Sequence, residues 1–337
     1  MVKCVKVEKK KAEETRKKLA SAGALDGSFV TGRDEKFVYF PVKGKVIGQK
    51  LVEKKLVKRE EHGMPFYERL KGLSTKEKEG LVKSFDIVGD IAVLEIPPAL
   101  ARREKEIAEA VMAVQHNIRV VAKKTGGTAG EFRIRPVAVV AGEKRTNTVY
   151  REGGCDFELD LNKTYFSGRL GTERERIANL VKKGERVLVP FAGVGPFAIR
   201  IAKKQPSARV VGIELNPDAE KYFEGNVARN KCNNATAILG DVAKLLPGKY
   251  KRWADRVAMP LPKDASEFLV NVIPCLKKGG VLHYYSFGEI DAPYKKAEKD
   301  VKEAAKKAGR KARIAFRRVV RPYSKSMEQV VVDATIE

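Results

Sequence analysis

The stretch Arg186-Val187-Leu188-Val189-Pro190-Phe191-Ala192-Gly193-Val194-Gly195-Pro196 decides the fold of the C-terminal half of this chain. Its first four residues predict a strand and its glycines a tight turn. Pro196 predicts the start of a helix, because the N–H that proline lacks is unpaired at the first helical position anyway. Glycine lets the backbone approach a ligand, and a helix N-terminus offers free N–H donors. Many nucleotide-binding folds share this unit, so alone it indicates a ligand without identifying it.

Strands and helices are predicted to alternate from residue 156 onward. The last two strands follow one another without a long helix between them. This order is typical of an α/β fold with a doubly wound, mostly parallel Rossmann-like sheet that ends in an antiparallel hairpin. The predicted strands are 186–190, 209–214, 235–240, 256–261, 280–287, 311–320 and 328–335, and the predicted helices are 171–182, 196–205, 217–231, 264–276 and 291–308.

Two acidic residues end the next two predicted strands. Glu214 closes 210–214, nineteen positions after Gly195, and Asp241 closes 238–241. Neighbouring strands of such a sheet end at one edge, where the first carboxylate can hold both ribose hydroxyls and the second can accept from an adenine amino group. Each could instead be an ordinary exposed acid at a strand end. Their occurrence at successive strand ends favours an adenosine-containing ligand.

Two adenosine cofactors are compatible with this pattern, NAD and S-adenosylmethionine. The NAD fingerprint G-x-G-x-x-G tolerates alanine at its third glycine, and Ala198 stands there. However, nothing downstream suggests a hydride acceptor, and a sheet that ends in a hairpin is typical of methyltransferases. The sequence therefore predicts an S-adenosylmethionine-dependent methyltransferase domain at 156–337.

Two smaller α+β units are predicted ahead of this domain, at 1–58 and 63–155. The segment from 52 to about 62 is rich in charge and is interpreted as a tether between them. The second unit has a turn signal at Gly89-Asp90 between two apolar runs. The predicted elements are strands at 4–7 and 37–42, helices at 10–22 and 102–114, and alternating apolar and basic segments at 120–123 and 132–135.

The chain is strongly basic, with a formal charge of +25 over 337 residues. Such an excess favours an anionic partner, and nucleic acid is the first candidate. A heat-adapted surface rich in Lys and Glu is the alternative explanation, although such surfaces usually balance their two signs.

Composition and spacing argue against several other classes. No apolar run approaches the length of a membrane span, and the first residues lack the apolar region of a signal peptide, so we expect a cytoplasmic protein without a membrane partner. The four cysteines form no Cys-x-x-Cys pair and there are only three histidines, so we expect no metal site.

The chain resembles the archaeal and eukaryotic tRNA guanine-37 N1-methyltransferases almost from end to end. The resemblance implies three domains and a monomer. The N-terminal unit would bind the outer corner of tRNA, and the other two would hold the anticodon stem-loop. It rests on segments in the family's order: Asp86 to Asp90, Gly130 to Arg135, Ala141 to Glu143, Tyr165 to Arg174, Phe191 to Phe197, Glu214 to Pro217, and His283 to Tyr285.

The resemblance also implies residue roles. Guanine N1 must lose its proton to attack a methyl group, and Glu173 matches the family's carboxylate base. Negative charge then builds on O6, and Arg133 matches the family's O6 contact. Tyr165 matches an aromatic residue beside the target base, where a splayed nucleotide can stack. The remaining implied contacts are Arg135, Arg174, Pro260 and Pro262 to the substrate, and Phe191, Gly193, Gly195, Glu214, Asp241 and again Arg174 to the cofactor.

Each of the first three roles has an ordinary structural alternative. Acids are common at helix starts because they interact favourably with the helix dipole, which would explain Glu173. Arg133 could be one more phosphate contact, and Tyr165 could be a core tyrosine.

Two positions depart from the family pattern. The family usually has an acid at the position of Val189, two residues before Phe191. It usually has Asn-Leu-Pro where this chain has Pro260-Leu261-Pro262, and that asparagine helps to orient the guanine. Pro260 has no side-chain donor or acceptor. We therefore predict membership of the subgroup that also methylates C7 of the wyosine intermediate 4-demethylwyosine. The alternatives are an enzyme for that intermediate alone, and an RNA-binding protein with a degenerate methyltransferase fold.

Overall fold

The computed structural model describes two compact units, Met1–Gly72 and Leu73–Glu337. The residues described are 1–34, 36–44, 46, 48–49, 51–57, 65–128, 130–261 and 265–337.

The N-terminal unit is an antiparallel four-stranded sheet with one helix. The sheet order is β2-β3-β1-β4. Apolar side chains from the strands and the helix, including Val5, Leu19 and Phe40, form its core. The predicted strand–helix–strand pattern agrees with this arrangement. Its elements are β1 (Val2–Glu8), α1 (Ala12–Ser21), β2 (Gly32–Arg33), β3 (Phe37–Pro41) and β4 (Leu51–Lys54).

The prediction that the tether begins at residue 52 is wrong, because Val52 pairs with Cys4 and Glu53 with Lys3 in the β4–β1 ladder. β4 is an edge strand, and edge strands tolerate the charges that were interpreted as a linker. Residues 58–64 of the predicted tether lie outside the described part of the chain.

The second unit begins with a mixed four-stranded sheet in the order β5-β6-β7-β8. β5 and β6 form the predicted hairpin at Gly89-Asp90, and α3 buries Ile107 and Val111 as its spacing predicts. The elements are α2 (Thr75–Gly80), β5 (Asp86–Val88), β6 (Ile91–Leu94), α3 (Glu104–Val114), β7 (Val120–Lys124) and β8 (Val137–Gly142).

A hairpin of β9 (Asn147–Glu152) and β10 (Cys155–Asp160) follows. A domain boundary after residue 155 would separate these paired strands. Two side-chain amides hold the hairpin onto the rest of the chain: Asn226 accepts from Glu158 N–H at 2.7 Å and donates to its carbonyl at 3.0 Å, and Asn230 does the same with Asp156. Paired amides of this kind satisfy backbone groups that a neighbouring strand would otherwise bond.

The remainder is a seven-stranded sheet in the order β13-β12-β11-β14-β15-β17-β16. The first five of these strands are parallel, and β17 is antiparallel to both of its neighbours. This confirms the predicted doubly wound sheet with a terminal hairpin. The elements are α4 (Gly171–Leu180), β11 (Arg186–Pro190), α5 (Pro196–Lys204), β12 (Arg209–Glu214), α6 (Pro217–Arg229), β13 (Ala235–Leu239), α7 (Val242–Lys249), β14 (Ala254–Met259), α8 (Leu269–Val272), β15 (Leu276–Glu289), α9 (Lys295–Lys307), β16 (Ala312–Pro322) and β17 (Met327–Ile336).

Two helix predictions differ from the structure. The continuous helix predicted at 264–276 is instead the short α8 between two 3-10 turns, because Pro274 lacks the N–H that a longer helix would need. α7 was not predicted, since it is short and contains Pro247. The longest helices described, α6 and α9, have 13 residues each, and none of the helices in the described part of the chain is long and apolar enough to cross a bilayer.

The turn after β11 is fixed by a fully buried phenylalanine. A Cβ added to Gly195 would lie 2.0 Å from the ring of Phe223 on α6, and one added to Gly212 in β12 would lie 2.3 Å from it. Gly195 also has φ +85°, a backbone conformation that residues with a Cβ rarely adopt. Phe223 therefore occupies the space that two glycines leave, and this packing fixes the turn.

We expect Gly212→Ala to destabilise the protein by about 1–3 kcal/mol, because its methyl group must displace the Phe223 ring. Gly225→Ala is the matched control, since Gly225 lies in α6 with open space around it and alanine there should stabilise by about 0.5–1 kcal/mol. Denaturant midpoints measure both effects. A Gly212→Ala midpoint at or above that of Gly225→Ala would contradict this packing.

Candidate active site

The candidate site lies at the carboxyl edge of the parallel strands. β11 leads into the glycine turn, β12 ends at Glu214, β13 is followed by Asp241, and β14 is followed by Pro260. Since parallel strands point the same way, these four features occupy one edge of the sheet, where doubly wound folds bind ligands.

The glycine turn is held in an open conformation. Phe191 and Gly193 have φ of +59° and +57°. The Ala192 N–H donates to the Ile213 carbonyl, at 3.0 Å, and this bond ties the turn to β12. A Cβ on Gly193 would meet only the Tyr165 carbonyl oxygen, at 3.7 Å, so the surface over Gly193 is open to a ligand. The Phe191 ring packs edge-on against Phe268 at 4.8 Å between centroids.

Glu214 links the ends of two strands. Its carboxylate accepts the Gly193 N–H at 2.7 Å through Oε2 and the Asn216 N–H at 2.9 Å through Oε1. Burial raises the pKa of Glu214 above its usual value, and the backbone N–H donors oppose that shift. A carboxylate accepts about four hydrogen bonds, so it retains acceptor capacity for a diol. Glu214 is therefore not a free surface acid, which was the alternative explanation.

Asp241 is the N-cap of α7, and its Oδ1 accepts the Ala243 N–H at 2.8 Å. An ordinary structural role, helix capping, therefore accounts for Oδ1 of Asp241. The adjoining Gly240 N–H donates to the Glu214 carbonyl at 2.8 Å, which brings the two predicted acids onto neighbouring strand ends. Leu239, paired with Glu214 in register, is 50% exposed beside them. Sequence patterns did not single out Leu239, because an apolar residue at the end of a strand is usually core.

These features fit an adenosyl group. The open backbone at Gly193, the acceptor capacity of Glu214 and the exposed apolar surface of Leu239 are what a ribose and a flat base require. Val189, where the family usually has an acid, is fully buried in the core. It contributes no polar group to the site.

Tyr165 lies on the loop before α4 and is 46% exposed, which excludes the core alternative. The loop is tied to the cofactor edge, because the Asn216 side chain donates to the Lys163 carbonyl at 2.7 Å. The Tyr165 backbone also adjoins Gly193, as described above.

Glu173 lies in the first turn of α4 and is 1% exposed. Its Oε2 accepts from Arg176 Nε at 2.9 Å and from the Tyr285 hydroxyl at 3.0 Å. Its buried Oε1 has no hydrogen-bond donor among the described residues, although a guanidinium nitrogen of Arg318 lies 3.3 Å away. Interaction with a helix dipole does not require such burial, so the dipole alone does not account for Glu173.

Arg174 lies in the interior of the protein. It is 1% exposed, donates to both oxygens of Glu152 at 2.8 and 2.5 Å, and donates to the Ser167 carbonyl at 3.1 Å. The predicted direct contacts of Arg174 with substrate and cofactor disagree with this geometry, because all three guanidinium nitrogens are engaged in the interior. The helical period explains the error: adjacent residues on α4 point to different surroundings, and Arg174 faces the β9–β10 hairpin.

Arg133 and Arg135 lie on the chain that leads into β8. Arg133 is half-buried and has φ +54°, an uncommon conformation for a residue with a side chain. Arg135 is exposed and lies 3.4 Å from the Thr128 hydroxyl. Pro260 is half-buried directly after β14, and Pro262 falls outside the described residues.

A group of buried polar residues was not predicted. Arg176, Arg256, His283 and Asp333 are linked to one another under α4, and Arg176 joins them to Glu173. The sequence held one indication of this group. The segment His283-Tyr284-Tyr285 is one of the segments that carry the family resemblance, but no role was predicted for it. Asp333 lies in an apolar strand and gave no signal.

Three consecutive segments match known domain families. Residues 4–57 match the tRNA methyltransferase 5 N-terminal domain, 67–146 the TYW2 N-terminal domain, and 148–314 the TRM5/TYW2 methyltransferase domain.

Three characterised relatives cover most of the chain. The tRNA (guanine(37)-N(1))-methyltransferase Trm5b of Pyrococcus abyssi is 39% identical over 99% of this chain and 98% of its own length. The tRNA 4-demethylwyosine(37)-methyltransferase Taw21 of Saccharolobus solfataricus is 33% identical, covering 77% and 95%. The tRNA (guanine(37)-N(1))/4-demethylwyosine(37)-methyltransferase Taw22 of Nanoarchaeum equitans is 32% identical, covering 65% and 88%.

Solved structures agree with these matches. The crystal structure of Trm5b from Pyrococcus abyssi covers 100% of both chains with a TM-score of 0.76 at 39% identity. The complex of aTrm5 with tRNALeu covers 99% of both with a TM-score of 0.72 at 30% identity. Methanocaldococcus jannaschii TYW2 in complex with AdoMet covers 75% of this chain and 99% of its own, with a TM-score of 0.60 at 28% identity. The chain belongs to the TRM5/TYW2 methyltransferase family.

Proposed function

We propose that this protein is an S-adenosylmethionine-dependent tRNA methyltransferase acting at position 37 of the anticodon loop. It forms N1-methylguanosine there and also methylates C7 of 4-demethylwyosine. Relatives with each activity, and one named for both, support the two substrates. The observation that carries the proposal is the buried Oε1 of Glu173, which accepts no hydrogen bond from the described residues and lies within the same unit as the adenosyl-type edge.

S-adenosylmethionine is the cofactor, and it supplies an electrophilic methyl group when bound. We propose that Glu214 holds the ribose hydroxyls, that Asp241 accepts from the adenine amino group, and that Phe191, Gly193 and Gly195 form the floor of the site. The open backbone at Gly193 and the double N–H support of Glu214 favour this assignment.

Glu173 is the proposed general base. Guanine N1 carries a proton on its pairing edge, and Oε1 accepts no hydrogen bond from the described residues, although Arg318 forms an ion pair with it at 3.3 Å. A buried acceptor left unsatisfied is costly, so an incoming N–H donor is favoured there. The proton of N1 passes to Oε1 as N1 becomes nucleophilic.

Two further residues are proposed to act on the same base. Arg133 donates to O6, where negative charge builds as N1 loses its proton. Tyr165, exposed beside the glycine turn, stacks on the splayed nucleotide. Arg135 is proposed to contact the RNA backbone near the base, and Pro260 to border the base. Pro262, which lies outside the described residues, is assigned to the substrate by the family resemblance alone.

The enzyme is further proposed to work as a cytoplasmic monomer on tRNA. Its N-terminal unit binds the outer corner and the second unit binds the anticodon stem-loop. The +25 charge supports contacts between Lys and Arg side chains and the tRNA phosphates. Such contacts make the affinity for tRNA fall steeply as the salt concentration rises.

Glu173→Gln should lower the rate of guanine methylation by about 10²–10⁴-fold, because the amide cannot take the N1 proton. Glu175→Gln is the matched control on the same helix, since Glu175 is partly exposed and binds Arg200 instead. Single-turnover transfer from labelled S-adenosylmethionine to tRNA with unmodified G37 measures the rate, and filter binding confirms that tRNA affinity is retained. Equal rates for the two variants would rule out Glu173 as the base.

Pro260→Asn should raise guanine methylation relative to 4-demethylwyosine methylation, because asparagine restores the group that orients guanine. The assay uses one tRNA with G37 and one with 4-demethylwyosine, and nucleoside mass spectrometry locates the methyl group. An unchanged ratio would disprove the role of Pro260. Transfer by the wild type to the second tRNA alone would favour the C7-only enzyme, and transfer to neither would favour the RNA-binding alternative.

A further inference from the structure

A continuous column of buried polar side chains runs beneath α4, between that helix and the sheet. Arg176 donates to both oxygens of Asp333, at 2.6 and 3.2 Å. Asp333 Oδ1 lies 2.7 Å from His283 Nδ1, and His283 Nε2 lies 2.7 Å from an Arg256 guanidinium nitrogen. Arg256 in turn pairs with Glu185 at 2.8 Å.

The hydrogen-bond roles in this column are determined by arginine. A guanidinium group only donates, so His283 Nε2 must accept from Arg256. His283 is then the neutral tautomer with its proton on Nδ1, the nitrogen that lies beside Asp333. Burial lowers the pKa of His283 below its usual value. Burial alone would raise the pKa of Asp333, but its contacts with His283 and Arg176 outweigh that effect and hold the pKa below its usual value. The column therefore contains an ionised Asp333 and an uncharged imidazole.

Asp333 determines which nitrogen Arg176 presents to Glu173. The two terminal nitrogens of Arg176 are occupied by Asp333, so only Nε faces Glu173, and it binds Oε2. The Tyr285 hydroxyl binds the same oxygen. Its pKa is raised far above the usual value by burial and by Glu173, so it remains a donor. Both donors converge on Oε2, and Oε1 accepts no hydrogen bond from the described residues. The partly exposed Arg318 guanidinium lies 3.3 Å from Oε1 as an ion pair.

We propose that Arg176, Asp333, His283 and Tyr285 are positioning residues that keep Oε1 of Glu173 clear of hydrogen bonds and direct it toward the target base. The inference rests on the proposed role of Glu173. Without Asp333, Arg176 could turn its two terminal nitrogens onto Glu173 and occupy Oε1 as well. A bidentate arginine–carboxylate pair is the geometry that these groups prefer, so this rearrangement needs no other partner.

The opposite face of the same strand provides a matched control. Tyr284 and Tyr285 are adjacent on β15 and therefore point to opposite faces of the sheet, and both are buried. Tyr284 donates to Asp300 at 3.1 Å, and Asp300 also pairs with Lys296. Asp300 and Tyr284 thus repeat the tyrosine–carboxylate pair without any contact with Glu173.

Asp333→Asn should lower kcat for methyl transfer by about 10–100-fold, while KM for tRNA changes less than about twofold, because Glu173 is misdirected and the binding surface is intact. Asp300→Asn should leave kcat within about twofold of the wild type. Steady-state kinetics on the full chain, with folded fraction checked by circular dichroism, measures both. Equal kcat values for the two variants would overturn the proposal. An inactive wild type would contradict the proposed function instead.

Tyr285→Phe and Tyr284→Phe keep the inference testable if Asp333→Asn fails to fold. Each removes one buried hydroxyl, so their losses of stability should be similar. Only Tyr285→Phe should lower kcat, by about 10-fold, since it removes a donor from Glu173. A kcat for Tyr285→Phe equal to that of Tyr284→Phe would overturn the role of Tyr285 and of the column.

The imidazole of His283 gives a spectroscopic test. Nitrogen NMR at neutral pH should find it uncharged, with the proton on Nδ1, and should find its titration shifted below the ordinary histidine pKa of about 6.5. Arg256, Arg176 and Asp333 are the charged groups that surround it. A depressed histidine pKa also makes the folded state lose stability as pH falls below about 6.5, because only the unfolded chain then binds the proton. A charged His283 at neutral pH would contradict the assigned tautomer.

Discussion

The pairing of one half-buried arginine with two buried carboxylates is the interaction on which the candidate chemistry depends. Arg176 bridges Glu173 on α4 and Asp333 on β17, and the surrounding interior would strongly penalise any of these charges alone. Each charge is therefore tolerated only in the presence of the others. The bridge connects a helix to an interior strand of the sheet, so the orientation of the proposed base is set by the same contacts that dock α4.

The cofactor edge is held in place by different interactions. Glu214 joins the glycine turn to the start of α6 through backbone N–H donors, while Phe223 fills the space left by Gly195 and Gly212. These hydrogen bonds and this ring packing hold the turn while leaving the surface over Gly193 open. The edge is thus rigid without a side chain obstructing the ligand, as a preformed pocket requires.

The two departures from the family pattern have different structural consequences. Val189 is completely enclosed in the core, where an acid would need a partner, so its effect is confined to a missing polar contact. Pro260 is half-buried and follows β14 directly at the carboxyl edge, where we propose that the target base binds. Of the two positions, only Pro260 therefore lies where the proposed substrate could contact it.

Sequence by itself determined the parallel sheet, the glycine turn and the strand-end positions of Glu214 and Asp241, because these follow from local periodicity and from which edge parallel strands share. The resemblance identified Glu173 and Tyr165. Tertiary structure alone decided that Arg174 faces the β9–β10 hairpin, that Val52 belongs to an edge strand, and that Asp333 lies near Glu173. Asp333 and Glu173 are 160 residues apart in the sequence. Their proximity depends on β17 inserting between β15 and β16, and no local pattern encodes such long-range pairing.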